Sequence, residues 1–563
     1  MKRQLLFMYR KYILLFTVML LLSMGSAHGE VDAQRMVKKN FSFDFSSLGD
    51  YIPEKIMDWS QEAFEWLFGI KKKLKENLEA FIENPYKDTI AYVRIGNELC
   101  NGERLYLEKR KPKVKRALEV LLDCPLEDHE VPTIAFVASG GGYRAVIALL
   151  GSLIGAQKDG FLDAGTYITG VSGSSWMIGT WMSSGLPLVD FKESLVEKLC
   201  KGLTHVGPKG SLLMADMLLV KYASDQSITL VDFYGALLGH ALFRDQKEKR
   251  HRMYLSGHVD RIKNGDWLFP IYSAVRGDND MTMDWYEFTP FEVGAHWLNA
   301  YVPTWAYARQ FENGVSIDYD PEQSLGYHFG VFGSAFSASF SRIYSEFKNN
   351  ISFDITKNII EKILEKVGNK RLSTAKVHNF TYGMKNSPIK TQKELRLIDA
   401  GIAVNIGYQP VSGQRPERKA DVMIILDSSG EVIDAVNLRR AEQYAHAHNL
   451  PFPYIDYEGI DTKVVSVFAD DNPEVPIVVY MPLINDFDLW ERHKNDPEFA
   501  GFDQYLKDFD PIVCMAGSYC STFDFTYEEF QLRQLSALTE FNMRMSAQAI
   551  YDAIELAVER RAS

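Results

Sequence analysis

Two short turns of unusual composition hold the residues best suited to chemistry in this chain. The first reads Ser139-Gly-Gly-Gly-Tyr-Arg-Ala145, and the second reads Gly170-Val-Ser-Gly-Ser174. Each follows a β-type apolar run and precedes a helix-type run, which predicts the opening of a parallel α/β sheet. In such a sheet both turns lie at the carboxyl ends of their strands, where ligands bind.

The residue types in these turns are those that acyl transfer requires. Ser172 lies between Gly170 and Gly173, and a serine on a sharp strand-to-helix elbow is held out for nucleophilic attack. The glycines of the first turn let the backbone take positive φ and aim several N–H groups at one point. The hydroxyl would attack an ester, and the N–H groups would stabilise the oxyanion that forms.

Other interpretations of the first turn fit less well. Gly140-x-Gly142-x-x-Ala145 matches a dinucleotide-binding fingerprint, but that fingerprint needs an acidic residue at the far end of the second strand. The nearest acid, Asp163, precedes that strand. A phosphate loop is excluded because no Gly-Lys-Ser/Thr follows the glycines. A turn that only packs a helix on a sheet explains either turn alone better than both together.

A serine nucleophile needs a general base within hydrogen-bond reach, either a histidine or a carboxylate. Three histidines follow Ser172 in the chain order of a hydrolase triad, namely His446, His448 and His493. His446 and His448 lie in a polar, helix-like run, so we interpret them as surface residues.

Three aspartates compete as a direct base. Asp163 precedes the strand that leads to Ser172, and six residues at about 3.3 Å each place it roughly 20 Å away, at the wrong end of the sheet. Asp399 and Asp427 both end strand-like runs. Asp399 is followed by alanine and glycine, which permit close approach, and we therefore choose it as the base.

Composition limits the class of protein. The chain has 563 residues, of which 46% are hydrophobic and 24% are charged, as in ordinary globular proteins. Its net charge of −12 gives no sign of nucleic-acid binding and no general attraction to an anionic membrane. The five cysteines form no C-x-x-C pattern, so we expect no metal site, although Cys514 and Cys520 could bridge a short loop in an oxidising compartment.

The N-terminal region is set apart from the rest. Basic residues precede the apolar run Ile13–Met24, and small residues follow it. Residues 1–29 therefore predict a signal peptide and a secreted or exported protein, with an uncleaved membrane anchor as the alternative. Residues 54–83 have the periodicity of an amphipathic helix, which would pack on the remaining protein or lie on a membrane surface.

Seven short motifs follow one another along the chain after this region. They are SGGGYRA (139–145), GVSGSSW (170–176), WYEFTPFEVG (285–294), YVPTW (301–305), FENG (311–314), FGSAFS (332–337) and IDAGIAVN (398–405). As a set they resemble the catalytic domain shared by cytosolic phospholipase A2 (group IV) and fungal lysophospholipase (phospholipase B). The resemblance covers roughly residues 95 to 550.

This resemblance implies a three-layer α/β/α patatin-like fold with a cap, and a Ser/Asp dyad without histidine. By position, Ser172 would be the nucleophile and Asp399 the base. The backbone N–H groups of Gly141 and Gly142 would form the oxyanion hole. Arg144 would match a family arginine that pairs with the substrate phosphate or steadies the site.

A second family arginine, which contacts substrate, would correspond to Arg418. We accordingly predict a signal peptide (1–29), an N-terminal helical segment (30–94) and a catalytic domain (95–563) with a cap insertion around 188–265.

The predicted function is a lipid acyl hydrolase, of phospholipase A2 or lysophospholipase type, acting through an acyl-enzyme at a membrane or micelle surface. We expect phospholipid or lysophospholipid as substrate, and no cofactor, metal or nucleic acid. The alternatives are a catalytically silent lipid-binding protein and a dinucleotide-dependent oxidoreductase.

Overall fold

The computed structural model describes residues 84–563, apart from residues 204, 207, 278–283, 336–373 and 431. The predicted signal peptide (1–29) and the predicted amphipathic helix (54–83) lie outside the described residues.

Helices and strands alternate in the first part of the described chain, and runs of helices or of strands follow. The helices are α1 (Asn101–Leu122), α2 (Tyr143–Lys158), α3 (Phe161–Ala164), α4 (Gly173–Ser184), α5 (Leu188–Leu199), α6 (Pro208–Ala223), α7 (Leu230–Leu242), α8 (Val259–Ile262), α9 (Leu325–Phe332), α10 (Val436–Ala447), α11 (Phe487–His493), α12 (Asp503–Leu506), α13 (Pro511–Gly517), α14 (Glu529–Met545) and α15 (Ala547–Ala562). The strands are β1 (Arg94–Ile95), β2 (Ile134–Ala138), β3 (Tyr167–Gly170), β4 (Phe269–Arg276), β5 (Trp285–Phe288), β6 (Glu292–Ala295), β7 (Ala300–Pro303), β8 (Phe311–Glu312), β9 (Val315–Ser316), β10 (Ala375–His378), β11 (Glu394–Asp399), β12 (Val422–Asp427), β13 (Ser466–Phe468) and β14 (Ile477–Pro482).

One large mixed sheet organises the fold. Its strand order is β1-β7-β6-β5-β4-β3-β2-β12-β14-β13, and β11 also pairs with β4. The central strands β4, β3, β2, β12 and β14 are parallel, whereas the strands on either side are antiparallel. The two predicted strand–turn–helix units are β2–α2 and β3–α4, which confirms the α/β prediction.

Alternate residues of the central strands face two separate cores. In β2, Ile134, Phe136 and Ala138 belong to one apolar core, and Ala135 and Val137 belong to the other. A fully buried parallel strand needs apolar residues on both faces, and helices cover each face. The arrangement is the three-layer α/β/α fold that the motifs predicted. Helices α5 to α8 lie between α4 and β4 in the chain, and their role as a cap stays a prediction.

Strand β4 brings two strand ends together. β3 pairs with β4 up to Gly170, which lies opposite Tyr272. β11 runs antiparallel to β4 and ends at Asp399, which lies opposite Ala274. Because β5 occupies the other side of β4, β3 and β11 share one edge of β4. Their carboxyl ends therefore point at each other, separated along β4 by Ser273 alone.

A buried network of arginines and glutamates lies near the amino ends of the parallel strands. Arg418 donates to both carboxylate oxygens of Glu103, at 2.8 and 2.6 Å, and to Glu287 at 2.7 Å. Arg415 donates to Glu287 and to Glu292. All five side chains are buried. The planar guanidinium suits such paired contacts, and each charge is tolerated in the interior because an opposite charge meets it.

Removing one member of this network should destabilise the fold. We expect Arg418→Leu to lower the free energy of unfolding by about 3–5 kcal/mol, because Glu103 and Glu287 then lose a buried partner. Denaturant unfolding would measure the loss. The control is Arg104→Leu, which removes a pair with Glu417 whose side chains are 46% and 43% exposed and should cost at most about 1 kcal/mol. Equal losses in the two variants would contradict the expectation.

Candidate active site

Ser172 occupies a strained elbow between β3 and α4. Its φ of 54° and ψ of −119° lie where a residue with a side chain is strained, at a cost of order 1–3 kcal/mol. Ser174 fixes the elbow, because its hydroxyl accepts from the Val171 N–H and donates to the Val171 carbonyl, both at 2.8 Å. The strand-to-helix geometry predicted for a nucleophilic serine is therefore present.

The two turns identified in the sequence interlock. A Cβ added to Gly173 would lie 2.1 Å from the carbonyl oxygen of Gly142, and one added to Gly140 would lie 2.9 Å from the Cβ of Ser172. Side chains at these positions would push the turns apart. Gly141 and Gly142 have φ values of 147° and 62°, which glycine adopts without strain. The backbone of the first turn thus lies directly against the serine elbow.

Asp399 meets this elbow from the end of β11. Its carboxyl is buried, with 1% of the residue exposed, and burial raises its pKa to about 7. Hydrogen bonding to the Gly401 N–H, to the Ser172 hydroxyl and to the Ala335 backbone acts in the opposite direction. Gly401 donates at 2.9 Å, and the hydroxyl of Ser334 accepts from the Asp399 N–H at 2.8 Å. The structure therefore brings together Ser172 and Asp399.

The competing acids lie elsewhere. Asp427 ends β12, where it accepts from the Tyr480 hydroxyl and from the Ser429 N–H, each at 2.9 Å. Asp163 is exposed and precedes β3. Neither lies, as Asp399 does, at a strand end that faces the carboxyl end of β3.

The histidines considered in the sequence are not at the elbow. His446 and His448 are exposed, at the end of α10 and just after it, and His493 binds Asp496 at 2.8 Å.

One serine–histidine contact was not anticipated. Ser183 lies 2.9 Å from Nε2 of His258, and Nδ1 of this ring lies 3.2 Å from the Tyr272 hydroxyl. Burial lowers the pKa of His258 to about 3. Ser183 follows Ser172 by eleven residues on α4, which corresponds to about 16 Å of helix. His258 is therefore too far along the helix to supply a base to Ser172.

Arg144 lies at the start of α2 and is fully buried. Its Nε donates to the Ser428 carbonyl at 2.8 Å, and its terminal nitrogens donate to the Cys520 carbonyl and to the Thr522 hydroxyl. A disulfide joins Cys514 to Cys520, as the sequence allowed. The guanidinium thus joins the glycine turn to two loops of the protein.

The structure does not place Arg418 at this site, which corrects the expectation that it contacts substrate. Its guanidinium is enclosed by Glu103 and Glu287. The Tyr167 hydroxyl, at the start of β3, donates to the same Glu103 carboxylate at 3.1 Å. Ser172 follows the opposite end of β3. Arg418 therefore has a structural role, because its N–H groups donate to buried glutamates.

Two polar residues that contact Asp399 or the first glycine turn were not singled out from the sequence. Ser334 receives the Asp399 N–H, and the Asn405 amide oxygen accepts from the Gly140 N–H at 3.1 Å. Both lie within the motifs FGSAFS and IDAGIAVN. Their position in those motifs could have drawn attention to them. A single serine or asparagine, however, forms no sequence pattern with other residues that would reveal its role.

The described part of the chain contains neither a metal-binding cluster nor a helix that could span a membrane. No group of three or more His, Cys, Asp or Glu residues there could hold a metal ion. None of the helices formed by those residues has the length and apolar character needed to cross a bilayer.

Sequence comparison identifies relatives along most of the chain. The mouse protein cytosolic phospholipase A2 epsilon is 28% identical over 86% of this chain and 62% of its own length. Human cytosolic phospholipase A2 zeta is 26% identical over 83% of this chain and 62% of its own length. The chain spans about three fifths of the length of these relatives.

Solved structures share the fold. Human GIVD cytosolic phospholipase A2 superposes with a TM-score of 0.71 at 22% identity, over 83% of this chain and 68% of that one. Its complex with methyl gamma-linolenyl fluorophosphonate gives a TM-score of 0.65 at 24% identity, over 84% of this chain and 66% of that one.

These comparisons contradict the prediction of a secreted or exported protein. The relatives are named as cytosolic phospholipases A2, so the predicted location, secreted or exported with a membrane-anchored alternative, was wrong. A basic stretch before a short apolar run is a pattern of composition, and composition alone does not determine export.

A family model matches the central part of the chain. The model of the lysophospholipase catalytic domain matches residues 134–456, which is more than half of the chain and includes both glycine turns and Asp399. The chain therefore belongs to the family of lysophospholipase catalytic domains.

Proposed function

We propose that this protein is a lipid acyl hydrolase that cleaves fatty-acyl esters of glycerophospholipids or lysophospholipids. The observation that carries the proposal is the pairing of Ser172, on its strained elbow, with the buried carboxyl of Asp399. A base with a pKa near 7 is suited to proton transfer at neutral pH. Family membership supports the substrate class and removes the oxidoreductase alternative.

The proposed reaction uses the dyad twice. Asp399 accepts the hydroxyl proton as Ser172 attacks the ester carbonyl, and the oxyanion is met by the N–H groups of Gly141 and Gly142. Such donors are worth about 2.7–4 kcal/mol each. When the tetrahedral intermediate collapses, the alcohol of the lipid leaves with the proton from Asp399. Water then attacks the acyl-enzyme, Asp399 accepts its proton, and fatty acid is released as the proton returns to Ser172.

Arg144 is proposed as a positioning residue for this reaction. Its contacts to Ser428, Cys520 and Thr522 favour a role in steadying the site over pairing with a substrate phosphate. A guanidinium that is fully buried and bonded to the protein would have to break those bonds to reach a phosphate. We further propose that the enzyme meets its lipid at a membrane or micelle surface.

The dyad is tested first by removing the nucleophile. We expect Ser172→Ala to lower fatty-acid release from mixed phospholipid vesicles or lysophospholipid micelles by at least about 10³-fold, because no other group forms the acyl-enzyme. Ser183→Ala is the matched control, since it removes a serine from the same helix and should stay close to the native rate. If the native protein bound lipid without releasing fatty acid, the lipid-binding alternative would hold instead.

The base is tested by pH and by substitution. Because Asp399 must be ionised and its pKa is about 7, kcat/KM should fall roughly tenfold per pH unit below 7 and level off above it. Asp399→Asn should abolish turnover at every pH. Asp427→Asn, at a buried aspartate that also ends a strand, should lose far less activity. A profile that stays flat down to pH 5 would show that Asp399 is not the base.

The role of Arg144 is tested with two substrates. We expect Arg144→Lys to lower kcat similarly for a phospholipid and for a monoacylglycerol, which lacks phosphate, because an ammonium cannot reproduce the three directed contacts of a guanidinium. Fatty-acid release would be measured for both substrates. A loss confined to the phospholipid would show that Arg144 binds phosphate after all.

A further inference from the structure

The chain after Asp399 turns back to meet the oxyanion turn. The Ala400 carbonyl accepts from the N–H groups of Ala403 and Val404, at 3.0 and 3.1 Å, which makes this turn tight. Ile406 then forms an isolated antiparallel bridge with Ser139. Asn405 is thereby fixed between the base and the first glycine turn.

The side chain of Asn405 lies at the junction of the two turns. The side-chain Oδ1 of Asn405 accepts from the Gly140 N–H at 3.1 Å. The main-chain carbonyl oxygen of Asn405 accepts from the same N–H at 3.3 Å. A Cβ added to Gly140 would lie 2.3 Å from this Oδ1 and 2.9 Å from the Cβ of Ser172. A Cβ added to Gly401 would lie 2.6 Å from it and 3.1 Å from Oδ1 of Asp399. One amide oxygen therefore sits beside both halves of the dyad.

An amide suits this position for an electrostatic reason. The Gly140 N–H requires an acceptor, and an aliphatic side chain at position 405 would leave it only the longer bond to the main chain. A carboxylate would accept the bond equally well, but it would place a second negative charge next to Asp399 and raise the pKa of the base further. Asparagine supplies an acceptor without that charge.

We propose that Asn405 is a positioning residue that sets the spacing between the oxyanion turn and the base. It acts through Gly140 on the N–H groups of Gly141 and Gly142, and through the tight turn on Asp399. The proposal rests on the serine acyl hydrolase proposed above and assigns a role to a residue outside the dyad.

Two substitutions separate the parts of this role. Asn405→Ala should lower kcat by about 10²-fold with little change in KM, because displacement of the oxyanion donors by about 1 Å has that effect. Asn405→Asp keeps the acceptor and adds a charge. It should move the acid limb of the kcat/KM profile upward by at least about one pH unit and should approach the native rate at higher pH.

The groups that face Asp399 allow this shift to be interpreted. They are the Ser172 hydroxyl and the phenol of Tyr234 on α7, within the described residues. Burial, Tyr143 and Asp399 raise the pKa of Tyr234 well above its usual value, so it stays neutral across the profile. In Asn405→Asp the new carboxyl titrates together with Asp399, so a displaced acid limb reports on that coupled pair.

The outcomes distinguish this inference from the proposed function. If native protein releases fatty acid and Ser172→Ala does not, the hydrolase stands. Under that condition, an Asn405→Ala enzyme within twofold of the native kcat, or an Asn405→Asp enzyme with an unmoved acid limb, would overturn the role of Asn405 alone. If native protein releases no fatty acid, the hydrolase fails and the role of Asn405 fails with it. Thermal unfolding of each variant confirms that the measured protein is folded.

Discussion

The central constraint on this structure is that the carboxyl group of Asp399 is buried beside the hydroxyl of Ser172. Burial disfavours the charged form of Asp399, and the Gly401 N–H, the Ser172 hydroxyl and the Ala335 backbone partly offset that cost. These groups come from three separate parts of the chain. They meet because β11 runs head-on towards β3 along one edge of β4. A strand entering from the opposite direction would have placed its carboxyl end away from the serine, so the antiparallel entry of β11 is what brings Asp399 to Ser172.

The local parts of the site could be predicted, because the signals were local. A serine between glycines after an apolar run predicts the elbow that Ser172 occupies. An aspartate that ends a strand before two small residues directs attention to Asp399, which the structure places beside that elbow and whose role as base stays a proposal. Arg418 shows where such reasoning fails. Its partners Glu103 and Glu287 are 315 and 131 residues away in the chain, and no local pattern reveals that they would enclose it. The prediction of export from residues 1–29 was wrong for a different reason, because their composition fits export and the cytosolic relatives contradict it.

The site also depends on chain beyond the family match. That match ends at residue 456, yet Arg144 is bonded to the carbonyl of Cys520 and the hydroxyl of Thr522. Helix α14 packs against α2 so closely that a Cβ added to Gly151 would lie 2.2 Å from the Ser536 carbonyl oxygen. The C-terminal helices therefore hold the helix that begins at the glycine turn. A domain cut at the end of the family match would lose the groups that fix Arg144, even though it would keep both members of the dyad.

The two ends of the central strands have different physical characters, and the difference has a functional meaning. Near the amino ends, Arg415 and Arg418 meet glutamates in buried ion pairs. At the carboxyl ends, Ser172 is strained, and burial disfavours the charged form of Asp399. Strain of this kind persists only where the surrounding structure imposes it. Here the strained geometry is imposed locally, by the interlocked glycine turns, by the contacts of Arg144 and by the facing ends of β3 and β11. The ion pairs at the other end can therefore stabilise the fold without relaxing the geometry on which the proposed chemistry depends.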